Sequence, residues 1–342
     1  MIRYIYMKTV KLISNALEHR RHLLSINPEH NQALRLFNGY LEGYPGLVIE
    51  IFSHTLAFFF NLKTDLDVQK NLYPVQDFIL EQLPWINTVL IKMRKSSNPE
   101  LKRGILVYGN QPAKIIREHN LKYALDLQLN QDASFYVDTR LLRAWLIENT
   151  KQKTVLNTFA YTGSFGAAAL AGDAAKVIQT DINNRFLDIA RNTYKLNGFS
   201  IKHNSLISAD YFKLISQFKK QGRLFDIVIL DPPFFSTTRA GRVDMIDETR
   251  RLINKVRPLV AHNGKLIVIN NALYVSGSDF MQTLQQICQS GYAQIEDRIP
   301  VPEDVLGNPH PNSTLPADPA PFNHPTKIAV MNITRKDRAG AV

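Results

Sequence analysis

Cysteine is almost missing from this chain: Cys288 is the only one in 342 residues. A single thiol excludes an internal disulfide framework and any multi-cysteine zinc site, and it fits a reducing cytoplasm. Long apolar runs are missing too. The densest, Thr55-Leu-Ala-Phe-Phe-Phe60, is far too short to span a bilayer and reads as a buried strand. The first residues lack the apolar core and small-residue cleavage site of an export signal, so neither export nor membrane attachment is expected. Acidic side chains are the scarcer charge, 30 against 41 Lys and Arg, for a net charge of +11. That surplus favours a polyanionic partner, because cations that neutralise phosphates release condensed counterions. No repeat or low-complexity tract is visible, and 45% apolar with 21% charged residues is ordinary globular composition.

Two phosphate-binding signatures are also absent. At Val155-Leu-Asn-Thr-Phe-Ala-Tyr-Thr-Gly-Ser-Phe-Gly166 an apolar run gives way to turn-forming residues and then to an Ala-rich helix. Strand, tight turn and helix start in that order present backbone N–H groups to a ligand. A G-x-G-x-x-G fingerprint would need glycines where Phe159 and Tyr161 stand, and no G-x-x-x-x-G-K-[ST] occurs. An adenosine-bearing ligand without phosphate fits better, and S-adenosylmethionine is the common one.

What is present supports that ligand by spacing. Eighteen residues after Gly163, the run Lys176 to Asp181 ends in an acid placed to accept ribose hydroxyls, with Ile182 beside it; Asp210 and Asp231 end two further apolar runs. Asn157, Asp181, Asp210 and Asp231 would line the carboxyl edge of a parallel sheet. Strand and helix alternate from about Ser134 to Ile269, the pattern of a doubly wound α/β domain. Asp231-Pro-Pro-Phe-Phe235 joins an acid to two residues without N–H donors, a stiff acceptor-only turn, and Phe234 or Phe235 is placed to stack on a base.

These motifs carry a resemblance. Asn157 to Gly163 resembles the N-x-F-[SA]-Y-T-G form of the methyltransferase glycine turn, and Asp231 to Phe235 resembles its D-P-P-x-F catalytic motif. Upstream, Arg35 to Glu50 is similar to R-L-x-x-G-E-x-D-G-x-P-G-L-x-x-D, Ile116 to Lys122 to E-x-G-x-x-F-x-V, and Phe135 to Arg140 to F-[YF]-L-D-x-R. Together they resemble the bacterial 23S ribosomal RNA methyltransferases of the class I, S-adenosylmethionine-dependent superfamily, over roughly residues 34 to 333. The resemblance implies a Rossmann-like domain with a mostly parallel seven-stranded sheet and an antiparallel last strand at Lys327 to Ile333. It also implies S-adenosyl-L-methionine as cofactor and 23S ribosomal RNA or a large-subunit precursor as partner. Implied cofactor residues are Tyr136, Arg140, Asn157, Phe159, Tyr161, Gly163, Asp181, Ile182, Asp210 and Asp231, with Asp210 beside the adenine and Arg140 at the methionine carboxylate. Asp231, Pro232, Pro233 and Phe234 are the implied catalytic group, and no metal is required.

Two departures bear on the product. Cytosine-C5 members carry a cysteine near the end of the fifth strand, where this chain reads Ile267-Val-Ile-Asn-Asn-Ala272, and Cys288 falls on the next helix. Asn270-Asn271 resembles the pair in the branch that methylates guanine N7, so a base nitrogen is the preferred acceptor. Cytosine C5, a DNA or protein substrate, and a non-catalytic RNA-binding assembly factor stay open. Only about 33 residues precede the matching region, so the N-terminal PUA domain of some members is not expected.

The expected organisation is a basic helical region at 1–33, a smaller α+β RNA-binding or linker domain at 34–130, and the methyltransferase domain at 134–342. Arg20, Arg21, His19 and His22 are expected on the surface of the first helix. Gly39, Gly43, Pro45 and Gly46 read as punctuation of a hairpin with strands Val48–Phe52 and Leu56–Asn61, and a helix is predicted over Asp67–Gln82. Lys92, Arg94, Lys95, Lys102 and Arg103 around a hairpin tip, against the single acid Glu100, are the candidate RNA contacts. The Pro-rich stretch 301–325 reads as one long loop.

Overall fold

The computed structural model describes residues 2–61, 67–203, 205–238, 241–244, 248–311, 313 and 315–336; Met1, positions 312 and 314 of the Pro-rich stretch, and 337–342 lie outside them. The chain divides into two compact units, residues 1–137 with 302–315, and residues 138–301 with 316–342.

In the first unit α1 (Ile2–Ser25) is followed by β1 (Ala33–Asn38), the one-turn α2 (Gly39–Glu42), β2 (Leu47–Phe52) and β3 (Thr55–Phe60). Then come α3 (Asp67–Gln82), β4 (Thr88–Met93), the short α4 (Pro99–Arg103), β5 (Ile105–Tyr108), and a separate pair, β6 (Ile115–Glu118) and β7 (Leu121–Ala124). Strands β1 to β5 form one sheet in chain order, antiparallel except where β3 lies parallel to β4. A parallel pair needs a crossover, and α3 supplies it. Ile13 and Ala16 from α1 and Val75 and Ile79 from α3 bury their apolar faces with Leu36, Ile49, Phe58 and Val89 of the sheet.

Two sequence expectations fail in this unit. Gly39 to Gly46 does not punctuate the β2–β3 hairpin, whose turn is Ser53-His54; it carries α2 between β1 and β2. Gly43 ends α2 at φ 92, and a Cβ on Gly39 would lie 1.9 Å from the Tyr44 carbonyl oxygen, so the glycines serve close backbone approach there. Arg20 is not a surface cation. It is fully buried, its guanidinium donating to Glu42 Oε1 at 2.8 Å and Oε2 at 2.9 Å and to the Asp304 carbonyl. Asp304 also accepts from the Arg35 N–H at 2.9 Å, which is how the segment 302–315 packs with the first unit.

The second unit begins with α5 (Arg140–Asn149), β8 (Thr154–Asn157), α6 (Ser164–Ala171), β9 (Lys176–Asp181), α7 (Asn184–Leu196), β10 (Leu206–Ser208), α8 (Tyr211–Lys220) and β11 (Phe225–Leu230). A two-stranded ribbon, β12 (Phe235–Thr238) with β13 (Gly241–Asp244), precedes α9 (Thr249–Val256), β14 (Val260–Asn270), α10 (Gly277–Cys288) and β15 (Ala293–Ile299). After α11 (Glu303–Leu306), which belongs to the first unit, β16 (Lys327–Ile333) closes the fold. The sheet order is β10-β9-β8-β11-β14-β16-β15. Strands β8 to β11 and β14 are parallel, and β16 runs antiparallel to both its neighbours. Leu142, Leu146, Phe165 and Ala168 cover one face; Phe212, Ile215, Leu252 and Phe280 cover the other. The order reverses between β8 and β11, which makes their carboxyl ends the crevice where such sheets bind ligands. Among the described residues no helix is long and apolar enough to cross a membrane.

Candidate active site

Gly163 shapes the crevice. It precedes α6 at φ 80, a backbone region that suits only glycine well, and a Cβ there would meet the Ala190 Cβ at 2.5 Å. Behind the turn stands Gln179 of β9, fully buried, which the sequence reading did not single out. Its amide donates to the Gly163 carbonyl at 3.2 Å and to the Tyr194 hydroxyl at 2.9 Å, and its oxygen accepts from Asn157 Nδ2 at 3.1 Å. No local pattern marks it, because a glutamine inside an apolar strand acquires its meaning from partners 15 to 22 positions away. Asn157 Oδ1 is buried and lacks a hydrogen-bond partner among the described residues. A buried acceptor left open in this way is available to a donor on a bound group.

Asp181, at the end of β9, accepts from the Tyr161 N–H and the Asn183 N–H, each at 2.9 Å, one on each carboxylate oxygen. Burial raises its pKa and these backbone donors oppose the rise. The contact to Tyr161, itself at φ 49, ties the glycine turn to the neighbouring strand end. Ile182 beside it is 61% exposed, a large apolar side chain presented at the edge. Asp210 caps α8, accepting from the Lys213 N–H at 3.1 Å. Phe159 stacks on Tyr211 with ring centroids 4.7 Å apart, and Tyr161 meets Phe186 edge-on, so both aromatic side chains of the turn lean on the fold.

Next along the edge Asp231 follows β11, half-buried, with Pro232 buried and Pro233, Phe234 and Phe235 exposed. Burial and then the neighbouring Asp138 carboxylate push the Asp231 carboxyl up to about 7. Asp138 is held by the Thr326 hydroxyl, which donates to its Oδ2 at 2.8 Å, while its buried Oδ1 has no partner among the described residues. Two open acceptors, Asn157 Oδ1 and Asp138 Oδ1, therefore belong to the residues around the crevice. Asn270 is buried and uses its side-chain oxygen to accept the Ala272 N–H at 3.0 Å, and Lys327, also buried, donates to the Ala272 carbonyl at 3.1 Å. Burial lowers Lys327 to about 8. Cys288 ends α10, the helix that returns from β14, and burial raises its pKa.

Arg140 opens α5 in this second unit, half-buried, whereas Tyr136 lies in the first, donating from its hydroxyl to Asp132 Oδ2 at 3.1 Å. The proposed RNA contacts separate. Lys95 and Arg103 are exposed and Lys102 is half-buried on α4. Arg94 pairs with Asp132 and lies over the Phe59 ring. Lys92 is a correction: it is fully buried, its ammonium donating to the Asn130 carbonyl at 2.7 Å and the Asp132 carbonyl at 2.8 Å, and burial lowers it to about 7. Both faces of β4 are covered, and two carbonyls of a following loop satisfy the ammonium.

A doubly wound sheet of this order, with a glycine turn after β8 and acids after β9 and β11, defines a class I methyltransferase fold with its ligand crevice at the carboxyl edge. A sequence profile described as S-adenosylmethionine-dependent methyltransferase matches residues 103–303, and this chain belongs to that family. It is 33% identical over 213 residues to ribosomal RNA large subunit methyltransferase I of Vibrio parahaemolyticus, covering 60% of this chain and 53% of that protein. The protein of the same description from Vibrio cholerae is 38% identical over 154 residues, 44% of this chain and 38% of that one. The chain thus spans about half the length of the curated relatives it matches, or less. Among solved structures, the SMU.776 methyltransferase in complex with SAH superposes with a TM-score of 0.83 at 19% identity, covering 96% of this chain and 82% of that one. The family's cofactor fits the residues present, which offer the glycine turn, the Asp181 carboxylate and the two open buried acceptors.

Proposed function

We propose that this protein transfers a methyl group from S-adenosylmethionine to a nitrogen of a base in large-subunit ribosomal RNA. The observation that carries the reading is Asp231, a half-buried carboxyl titrating near neutrality in an acceptor-only Pro-Pro turn at the crevice. The RNA class rests on the relatives' descriptions and on the +11 charge. S-adenosylmethionine, when bound, supplies an electrophilic methyl on a sulfonium. The residues need only hold an acceptor lone pair in line with it. Asp231 and the proline carbonyls orient the base, and where the acceptor nitrogen carries hydrogen the carboxylate accepts that proton as the new bond forms and passes it to solvent. Asp181 would accept the ribose hydroxyls, Gly163 would let the backbone approach the cofactor, and Arg140 would pair with the methionine carboxylate. Cytosine C5 would instead require a thiolate adduct, and the only thiol sits at the far end of α10 with a raised pKa. Nucleoside mass spectrometry of ribosomal RNA from cells with and without the gene tests this: a nitrogen-methylated nucleoside should vanish in the deletion strain, and loss of 5-methylcytosine alone would overturn the assignment.

Replacing Asp181 with Ala removes the ribose acceptor and should weaken S-adenosylmethionine binding by about 1 to 3 kcal/mol, measured by calorimetry. Asp181→Asn, which keeps the oxygen for the Tyr161 N–H, should lose less; unchanged affinity in both variants would refute the ribose role. For the first unit, Lys95→Ala, Lys102→Ala and Arg103→Ala together should flatten the salt dependence of RNA binding by up to about two logarithmic units per decade of salt. An unaltered slope would make α4 a merely solvated turn.

A further inference from the structure

Beyond Phe234 and Phe235, the second unit carries a charged and aromatic surface that the sequence motifs do not include. Directly after Asp231-Pro-Pro, Phe234 is 46% exposed and Phe235 is 56% exposed, and Phe235 opens the β12–β13 ribbon. On the facing strand Arg242 lies 5.3 Å over the Phe235 ring and also pairs with Asp244. A continuous set of contacts leads from there. Arg251 of α9 donates to the Arg242 carbonyl at 2.6 Å; Arg251 and Lys255 both lie over the Phe212 ring, at 5.3 and 5.9 Å; and burial, then the charge of Lys255, lowers the pKa of Lys219 on α8. Thr249, Leu252, Ile253 and Val256 bury the opposite side of α9, which leaves Arg250 and Arg251 outward. One strand over, the loop after β14 presents Tyr274 at 72% exposure on the same carboxyl edge as Phe234.

We infer that this face, Arg242, Arg250 and Lys255 with Phe235 and Tyr274, is a track for single-stranded RNA flanking the methylated base. The inference rests on the RNA substrate proposed above. Aromatic side chains exposed beside the crevice offer stacking platforms that any base can use, and a stripe of cations tracks a phosphate backbone. Arg242 over Phe235 and Arg251 over Phe212 hold the guanidinium planes against rings, fixing them for stacking or phosphate contact at small entropic cost. A duplex presents no free base faces, so this combination selects unpaired RNA.

The test uses the whole chain and a fluorescent mixed-sequence 20-nucleotide single-stranded RNA, with its duplex as comparison. The combined variant Arg242→Ala, Arg250→Ala, Lys255→Ala should bind the single strand 10- to 100-fold more weakly and lower the logarithmic salt slope by about two. S-adenosylmethionine affinity should be unchanged. Tyr274→Ala, a loop substitution that cannot unfold the sheet, should weaken the single strand roughly 5- to 100-fold and leave the duplex unaffected. Failure of the unaltered protein to bind either RNA would refute the RNA substrate itself. Tight binding by the unaltered protein with no change in either variant would leave that substrate standing, assign the face to a protein partner and overturn the track.

Discussion

Replacing Asp231 with Ala should cut the methyl-transfer rate by about 10² to 10⁴. The size follows from losing both the group that orients the acceptor nitrogen and the base that takes its proton, in a site where burial magnifies each. A carboxyl at about 7 also predicts a pH profile. Below pH 7 the free enzyme holds Asp231 protonated, so kcat/KM should climb toward a tenfold gain per pH unit and level off above pH 7 to 8. The same shift has a consequence for stability. An unfolded aspartate ionises near pH 4 and the folded one near 7, so between those values the folded state carries a proton that the unfolded state has lost. Stability contributed by the neutral carboxyl is complete below pH 4, declines as pH rises toward 7, and is gone above it. Asp231→Asn cannot ionise; it should therefore match the unaltered protein near pH 4 and exceed it by a few kcal/mol at pH 8. Denaturation curves that stay parallel from pH 4 to 8 would show an ordinary, solvated carboxylate.

Glu42→Ala should destabilise the first unit by about 3 to 5 kcal/mol. Its carboxylate is buried and takes four bonds: two from the Arg20 guanidinium, one from the Asn38 N–H at 2.7 Å and one from the Asn308 N–H at 3.1 Å. Truncation leaves a buried guanidinium with its remaining acceptors at the Ala16 and Asp304 carbonyls and no countercharge. It also strands two backbone donors. For that second reason Arg20→Met combined with Glu42→Met should recover only part of the loss, because apolar groups cannot satisfy the Asn38 and Asn308 amides. The two tryptophans permit a clean measurement, since Trp85 lies in the first unit and Trp145 in the second. In a Trp145→Phe background, Trp85 fluorescence should report a lower unfolding midpoint for Glu42→Ala. An unfolding free energy within about 0.5 kcal/mol of the parent would mean that the pair contributes little beyond desolvation.

Elements whose signals are local were legible without coordinates. Lys176–Asp181 and Phe225–Leu230 are strands because apolar runs of that length end in acids that stop them, and Tyr211–Lys220 is a helix because Asp210 caps an apolar face of helical period. The helix Asp67–Gln82 and the last strand Lys327–Ile333 were equally readable, whereas the antiparallel direction of that strand came only from the family resemblance. The glycine turn and Asp-Pro-Pro were visible because each compresses its chemistry into a few consecutive residues. Burial of charge was not visible. Lys92 and Arg20 look like surface cations until carbonyls and a carboxylate from distant positions are brought to them, Asn130 and Asp132 for one, Glu42 and Asp304 for the other. Gln179, the open acceptor of Asp138 beside Asp231, and the alignment of Arg242, Arg251 and Lys255 arise only when strands far apart in sequence lie side by side. Sequence alone determines which residues can take up strand, helix or turn, since those preferences depend on near neighbours. Whether a charge faces water or a carbonyl, and where a carboxyl titrates, was decided by tertiary structure, because desolvation and Coulomb interaction depend on distance through space.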